Sequence, residues 1–89
     1  MVTMFVRHQV NDFAQWKQVY VAFAPEQKRL GVRAEAVYQA ADDPNDVTVS
    51  HEFDSIEAAQ QFVGSQELHN TMAKAGIAAQ PTIWFTQRA

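Results

Sequence analysis

Four stretches of the chain alternate apolar and polar residues with the two-residue period of a strand, and the segments between them repeat at helical spacing. The cleanest alternation runs from Asp46 to Phe53, with Val47, Val49, His51 and Phe53 on one face and Asp46, Thr48, Ser50 and Glu52 on the other. Val2 to Val10 behaves in the same way, with Met4, Val6, His8 and Val10 against Thr3, Phe5, Arg7 and Gln9. Each of these strands carries a histidine where the pattern calls for a core residue. From Val32 to Ala40 the smaller residues Val32, Ala34, Ala36, Tyr38 and Ala40 share a face, which suits an edge strand whose small side lies beside a bulky helix. Thr82 to Gln87 is the last strand, with Ile83 and Phe85 expected toward the helices and Trp84 on the opposite face.

The helices are marked by their ends. Asn11 and Asp12 supply an N-cap signal, after which Phe13, Trp16, Tyr20 and Phe23 follow at helical spacing. Pro25 lacks an N–H and its ring opposes the carbonyl four residues back, so the helix is expected to break near Ala24, resume over Glu26 to Leu30, and stop at Gly31. The turn formers of Ala41 to Asp46 predict a hairpin into the central strand. Asp54 with Glu57 three residues on reads as a capping box, opening a helix whose inward residues are Ile56, Ala59, Phe62 and Val63. Ser65 is expected to cap a further short helix reaching Gly76, with Leu68 and Met72 inward and His69 on its flank, followed by a loop ending at Pro81.

The order strand, helix, strand, strand, helix pair, strand predicts an α+β fold of the ferredoxin-like βαββαβ kind, a four-stranded antiparallel sheet with helices on one face. The first and third strands become central neighbours. His8 and His51 then share the helix-facing side, with their rings anywhere between contact and roughly 10 Å apart at about 3.3 Å per residue.

Composition narrows the classes of function. Eighty-nine residues are expected to form one domain, 1–89, because so short a chain cannot support two cores. A formal net charge of −3 with seven scattered Lys and Arg gives no basic stripe for nucleic acid. No cysteine is present, so there is no disulfide frame, thiolate metal site or thiol nucleophile. No apolar run approaches the roughly 20 residues of a membrane span, and the first ten residues alternate instead of forming a signal-peptide core. A soluble, cytoplasmic protein is the expectation.

The stretches VRHQVNDFAQWK, DDPNDVTVSHEFDSIEAAQQF and SQELHNTMAKAGI, with the terminal PTIWF, together resemble the dimeric α/β-barrel superfamily, and within it small proteins similar to antibiotic-biosynthesis monooxygenases and polyketide cyclases. The resemblance covers essentially the whole chain. It implies a homodimer in which two sheets meet through their helix-free faces, placing Trp84 toward the partner, and a ligand pocket in each subunit between sheet and helices. It also implies cofactor-free chemistry on an aromatic or polyketide-like compound, as a monooxygenase, a cyclase or a lactone isomerase.

On that reading His51 is the proton-transfer residue and His8 its partner or an oxyanion donor, since imidazole exchanges a proton near neutrality. Trp16, Tyr20, Phe23 and Phe62, with His69 and Met72, would contact the substrate. No metal is expected, because no carboxylate has an evident place beside the three histidines, and the chain is much shorter than the haem-binding members of the superfamily. The competing reading is a non-catalytic ligand-binding or assembly module in which both strand histidines are structural and hydrogen-bonded. Asp12 and Asp54 read as caps, and Arg7 with Glu52 as a cross-strand ion pair.

Overall fold

The computed structural model describes residues 1–78 and 80–89. Its elements are β1 (Val2–Gln9), α1 (Phe13–Ala22), α2 (Ala24–Arg29), β2 (Ala34–Ala40), β3 (Asp43–Phe53), α3 (Ile56–Val63), α4 (Gln66–Lys74) and β4 (Thr82–Gln87). The strands form one antiparallel sheet in the order β2-β3-β1-β4, so β1 and β3 are central and adjacent. This is the ferredoxin-like βαββαβ arrangement. The loop expected before Pro81 contains residue 79, which lies outside the described residues.

Pro25 divides the first helical segment. α1 ends at Ala22, and Phe23 joins the two helices by donating its N–H to Val19 and accepting from the Gln27 N–H at 3.0 Å. Gly31 adopts φ 105°, a conformation that costs an L side chain roughly 1–2 kcal/mol. This lets the Val32 N–H reach back to the Gln27 carbonyl at 3.0 Å and close the helix. An added Cβ there would only touch the Phe53 ring at 3.9 Å, so the backbone and not the packing calls for glycine.

Several local expectations are corrected. Ser55, not Asp54, caps α3 by accepting the Ala58 N–H at 3.1 Å, and Glu57 then stands one position too early for a capping box. Asp54 instead pairs with Arg33 at 2.7 Å across the end of the sheet. Asp12 occupies the N-cap of α1 but makes no cap bond. The Phe13 N–H donates to Asn45 Oδ1 at 2.9 Å, so the start of β3 holds this helix end. Ser65 caps α4 through the Leu68 N–H, as the pattern predicts. Arg7 pairs with Asp46 at 2.6 Å. Glu52 lies opposite Thr3, four positions along the strand and out of reach of Arg7.

The edge strand β2 presents the other face from that expected. Glu35, Val37 and Gln39 lie opposite His51, Val49 and Val47 and therefore face the helices, whereas Ala34, Ala36 and Tyr38 face away with Glu52, Ser50 and Thr48. β3 begins at Asp43, earlier than its alternation indicates, and an irregularity between Gln39 and Ala40 adjusts the pairing next to the turn. On the helix-free face Phe5 stacks on Trp84 at 5.5 Å, and Tyr38 is 57% exposed.

Two apolar clusters fill the space between sheet and helices. One gathers Val2, Met4, Phe23, Val32, Phe53, Ala59 and Phe62, and the other Val10, Trp16, Val47, Val49 and Ala75. Ile83 packs on the first, consistent with the inward face predicted for β4. No described helix is long and apolar enough to cross a membrane.

Candidate functional site

The pairing of β1 with β3 sets the distance between the strand histidines. His51 lies opposite Met4 and His8 opposite Val47, an offset of four residues or roughly 13 Å along the strands. The two imidazoles share a face without meeting. α1 spans the gap, because Trp16 and Tyr20 stand one helical turn apart and point down together. The result is a continuous ladder of rings, with centroids 5.6 Å apart for His8 and Trp16, 4.9 Å for Trp16 and Tyr20, and 6.2 Å for Tyr20 and His51. Phe62 closes the far end, with its ring edge-on to His51 at 5.3 Å.

These rings border a cavity of about 60 Å³ between the two apolar clusters, walled almost entirely by apolar atoms. Trp16, Tyr20, Phe23, Phe62 and Met72 line it together with His8 and His51. His69 does not. α4 turns Leu68, Thr71, Met72 and Ala75 to the cavity at helical spacing, and position 69 falls off that face, exposed, with a ring nitrogen 3.1 Å from the Val63 carbonyl oxygen. The space is enough for a few waters or a very small ligand, well below the roughly 300–1,000 Å³ of sites for drug-sized molecules.

Both strand histidines are buried, at 7% exposure for His8 and 4% for His51. Of their four ring nitrogens only one is bonded, His51 Nε2, which is 3.2 Å from the Tyr20 hydroxyl. The Tyr20 hydroxyl in turn lies 3.0 Å from Glu35 Oε2. Leaving a buried polar group unpaired costs on the order of 1–3 kcal/mol, and no protein group among the described residues bonds the other three ring nitrogens. Burial lowers the pKa of His51 from 6.5 to about 4 and lowers that of His8 as well. Both imidazoles are therefore neutral at physiological pH, the form that accepts a proton. Tyr20 is shifted the other way, mainly by burial and then by the Glu35 charge, so its phenol keeps its proton.

Glu35 and Gln27 are polar groups of the site that the pattern does not single out. Gln27, 4% exposed, lines the cavity from α2, beyond the break at Phe23, where the helical spacing of α1 no longer applies. Glu35 had no signal either, because the alternation of β2 favours the opposite face. Among the described residues no group of three His, Asp or Glu side chains is placed to hold a metal ion.

The buried imidazoles make stability depend on pH. In the unfolded chain His51 takes up a proton as pH falls below about 6.5, whereas in the folded protein it does so only near 4. Between these values the unfolded state holds more protons, so stability should be complete above pH 6.5 and fall toward pH 4, by roughly 3 kcal/mol at most for this group. His8 adds in the same direction. Urea midpoints measured between pH 4 and 7 should show this slope, and His51→Phe should flatten it. An equally steep slope in that variant would assign the pH dependence to other groups.

The sequence matches no known family profile and no curated protein. Solved structures share its fold over nearly the full length. One is from Bordetella bronchiseptica and is provisionally described as an antibiotic biosynthesis monooxygenase. It superposes with a TM-score of 0.87 at 14% identity, covering 99% of this chain and 96% of that one. SnoaB, a cofactor-independent oxygenase from Streptomyces nogalater, gives 0.78 at 13% identity, covering 99% and 94%. Rv0793 from Mycobacterium tuberculosis gives 0.75 at 16% identity, covering 99% and 94%.

Proposed function

We propose that this chain is a small-molecule enzyme of the cofactor-free monooxygenase type, which removes a proton from a phenolic or enolisable aromatic substrate with His51 as the base. The observation that carries this reading is His51 itself, a neutral imidazole buried on an apolar cavity with one nitrogen tied to Tyr20 and the other unpaired. A phenolate or enolate formed beside it is electron-rich enough to react with dioxygen. When a ring CH₂ becomes a carbonyl, one oxygen atom stays in the product and the other leaves as water, so no external reductant is needed. Trp16 and Tyr20 supply flat walls for an aromatic ring, and His8, at the far end of the ladder, donates to a second oxygen at the other end of an extended substrate, such as the carbonyl oxygen of an enolisable polycyclic ketone.

The likeness in fold to SnoaB supports the same class of chemistry. A fused aromatic does not fit a 60 Å³ space, so the substrate enters by displacing a wall. α4 is that wall, because it buries none of its residues and contributes the flexible Met72 and Leu68. The protein works as a homodimer joined through its helix-free face, where Trp84 and Tyr38 stand exposed. The experiment is a screen of phenols and polycyclic ketones for oxygen uptake by the protein, repeated with His51→Gln. Uptake that depends on His51 is the expected result, and uptake indifferent to it would remove the imidazole from the chemistry.

A further inference from the structure

The hydroxyl of Tyr20 has one proton to give and stands between two groups that could take it, with the Gln27 amide beside it as a donor to the phenol oxygen. The hydroxyl is 3.0 Å from the Glu35 carboxylate and 3.2 Å from His51 Nε2. A carboxylate can only accept, and a charge-assisted O–H···O⁻ bond is roughly twice as strong as one to a neutral acceptor. The phenol proton therefore goes to Glu35. Its oxygen is left to accept from His51, which requires the proton of the neutral imidazole to sit on Nε2. The remaining nitrogen, Nδ1, then holds a bare lone pair, buried and without a bonding partner.

The backbone builds this arrangement from three elements. Glu35 and His51 are directly opposed residues of β2 and β3, so their side chains emerge side by side on the helix-facing surface. α1 lays Tyr20 over both, its ring nearly parallel to the imidazole at 4°. Burial and the Glu35 charge keep the phenol protonated, so the relay always contains a donor for Glu35.

We propose that Glu35 is a positioning residue for His51. By taking the Tyr20 proton, it turns the phenol into an acceptor, fixes the imidazole as the Nε2–H tautomer and keeps Nδ1 free to take a proton from a ligand. Glu35 sits on the exposed edge of the sheet and touches no part of the cavity, so it acts through Tyr20 alone. Naming Nδ1 as the base rests on the proposed function, whereas the tautomer itself does not.

The test reads the tautomer in the ligand-free protein, so its failure is separable from a failure to find a substrate. Long-range proton–nitrogen NMR correlations on labelled protein distinguish the two ring nitrogens of each of the three histidines. The parent is expected to show His51 as Nε2–H. In Glu35→Ala the phenol loses its acceptor and donates to Nε2 instead, which should move the tautomer ratio toward Nδ1–H by about tenfold, the scale of one hydrogen bond. Glu35→Gln retains an acceptor oxygen and should restore the parent spectrum. A parent already in the Nδ1–H form, a Glu35→Ala spectrum unchanged at His51, or a Glu35→Gln spectrum like that of Glu35→Ala would each overturn the proposal.

Discussion

His51→Gln is expected to lower kcat/KM for a phenolic or enolisable substrate by about 10²- to 10⁴-fold, the range typical of a lost general base. The amide keeps a planar polar group near Tyr20 and Phe62, which limits the damage to packing, but it cannot accept a full proton at any working pH. The loss should fall on kcat, with KM little changed, because the aromatic walls that hold the ring are untouched. Burial makes the comparison informative. An imidazole whose pKa lies near 4 is fully unprotonated at neutral pH, though a weaker base than an exposed histidine, so the parent rate should be flat from pH 6 to 8. Steady-state oxygen uptake on parent and variant, each shown to be folded by its near-ultraviolet circular dichroism, gives the answer. Parent-like kcat/KM in the variant would leave His51 a structural residue.

Phe62→Ala should be among the most destabilising single changes, at about 3–5 kcal/mol. The ring is 1% exposed and stands where the cavity meets the first apolar cluster, 6.4 Å from the Phe23 ring, 5.4 Å from Phe53 and 5.3 Å from His51. Removing it forfeits burial and enlarges an existing void that the fixed strands cannot close. Small domains have about 5–15 kcal/mol in total, so the variant should unfold at far lower urea than the parent at pH 7. Phe62→Leu keeps part of the volume and should cost less. A loss under about 1 kcal/mol for the alanine would mean that α3 collapses onto the sheet and that the cavity has no rigid wall.

The alternation of β1 and β3 was enough to place His8 and His51 on the helix side of two central strands. Period-two patterning leaves no other face for them once Val47, Val49 and Phe53 are buried. The helical spacing of Trp16 and Tyr20 likewise put both over the sheet. What the pattern could not supply was register. Whether the histidines touch depends on which residue of β1 faces which residue of β3, a matter settled by tertiary packing and not by either strand alone.

β2 was misjudged for a related reason. Ala34, Ala36 and Tyr38 outnumber the single Val37, so the alternation points the wrong face to the helices. The face turned to the helices follows from pairing with β3 beside an irregular turn. That reversal is why Glu35, the charged group bonded to Tyr20, was invisible in the sequence. The cap of α3 failed differently. Asp54 and Ser55 are adjacent and both competent, and Arg33 claims the carboxylate. His69 shows that a residue type is no substitute for its angle on the helix, since one position's rotation carries it from the cavity to the surface.

The central claim is that the space between sheet and helices is the ligand site. The most direct measurement is to soak a phenolic hit from the oxygen-uptake screen into anaerobic crystals and locate it. The account predicts density between Trp16 and Phe62, with α4 displaced outward and the phenol oxygen within hydrogen-bond distance of His51 Nδ1. A ligand seated instead on the helix-free face, against Phe5, Tyr38 and Trp84, with the cavity still closed, would contradict it.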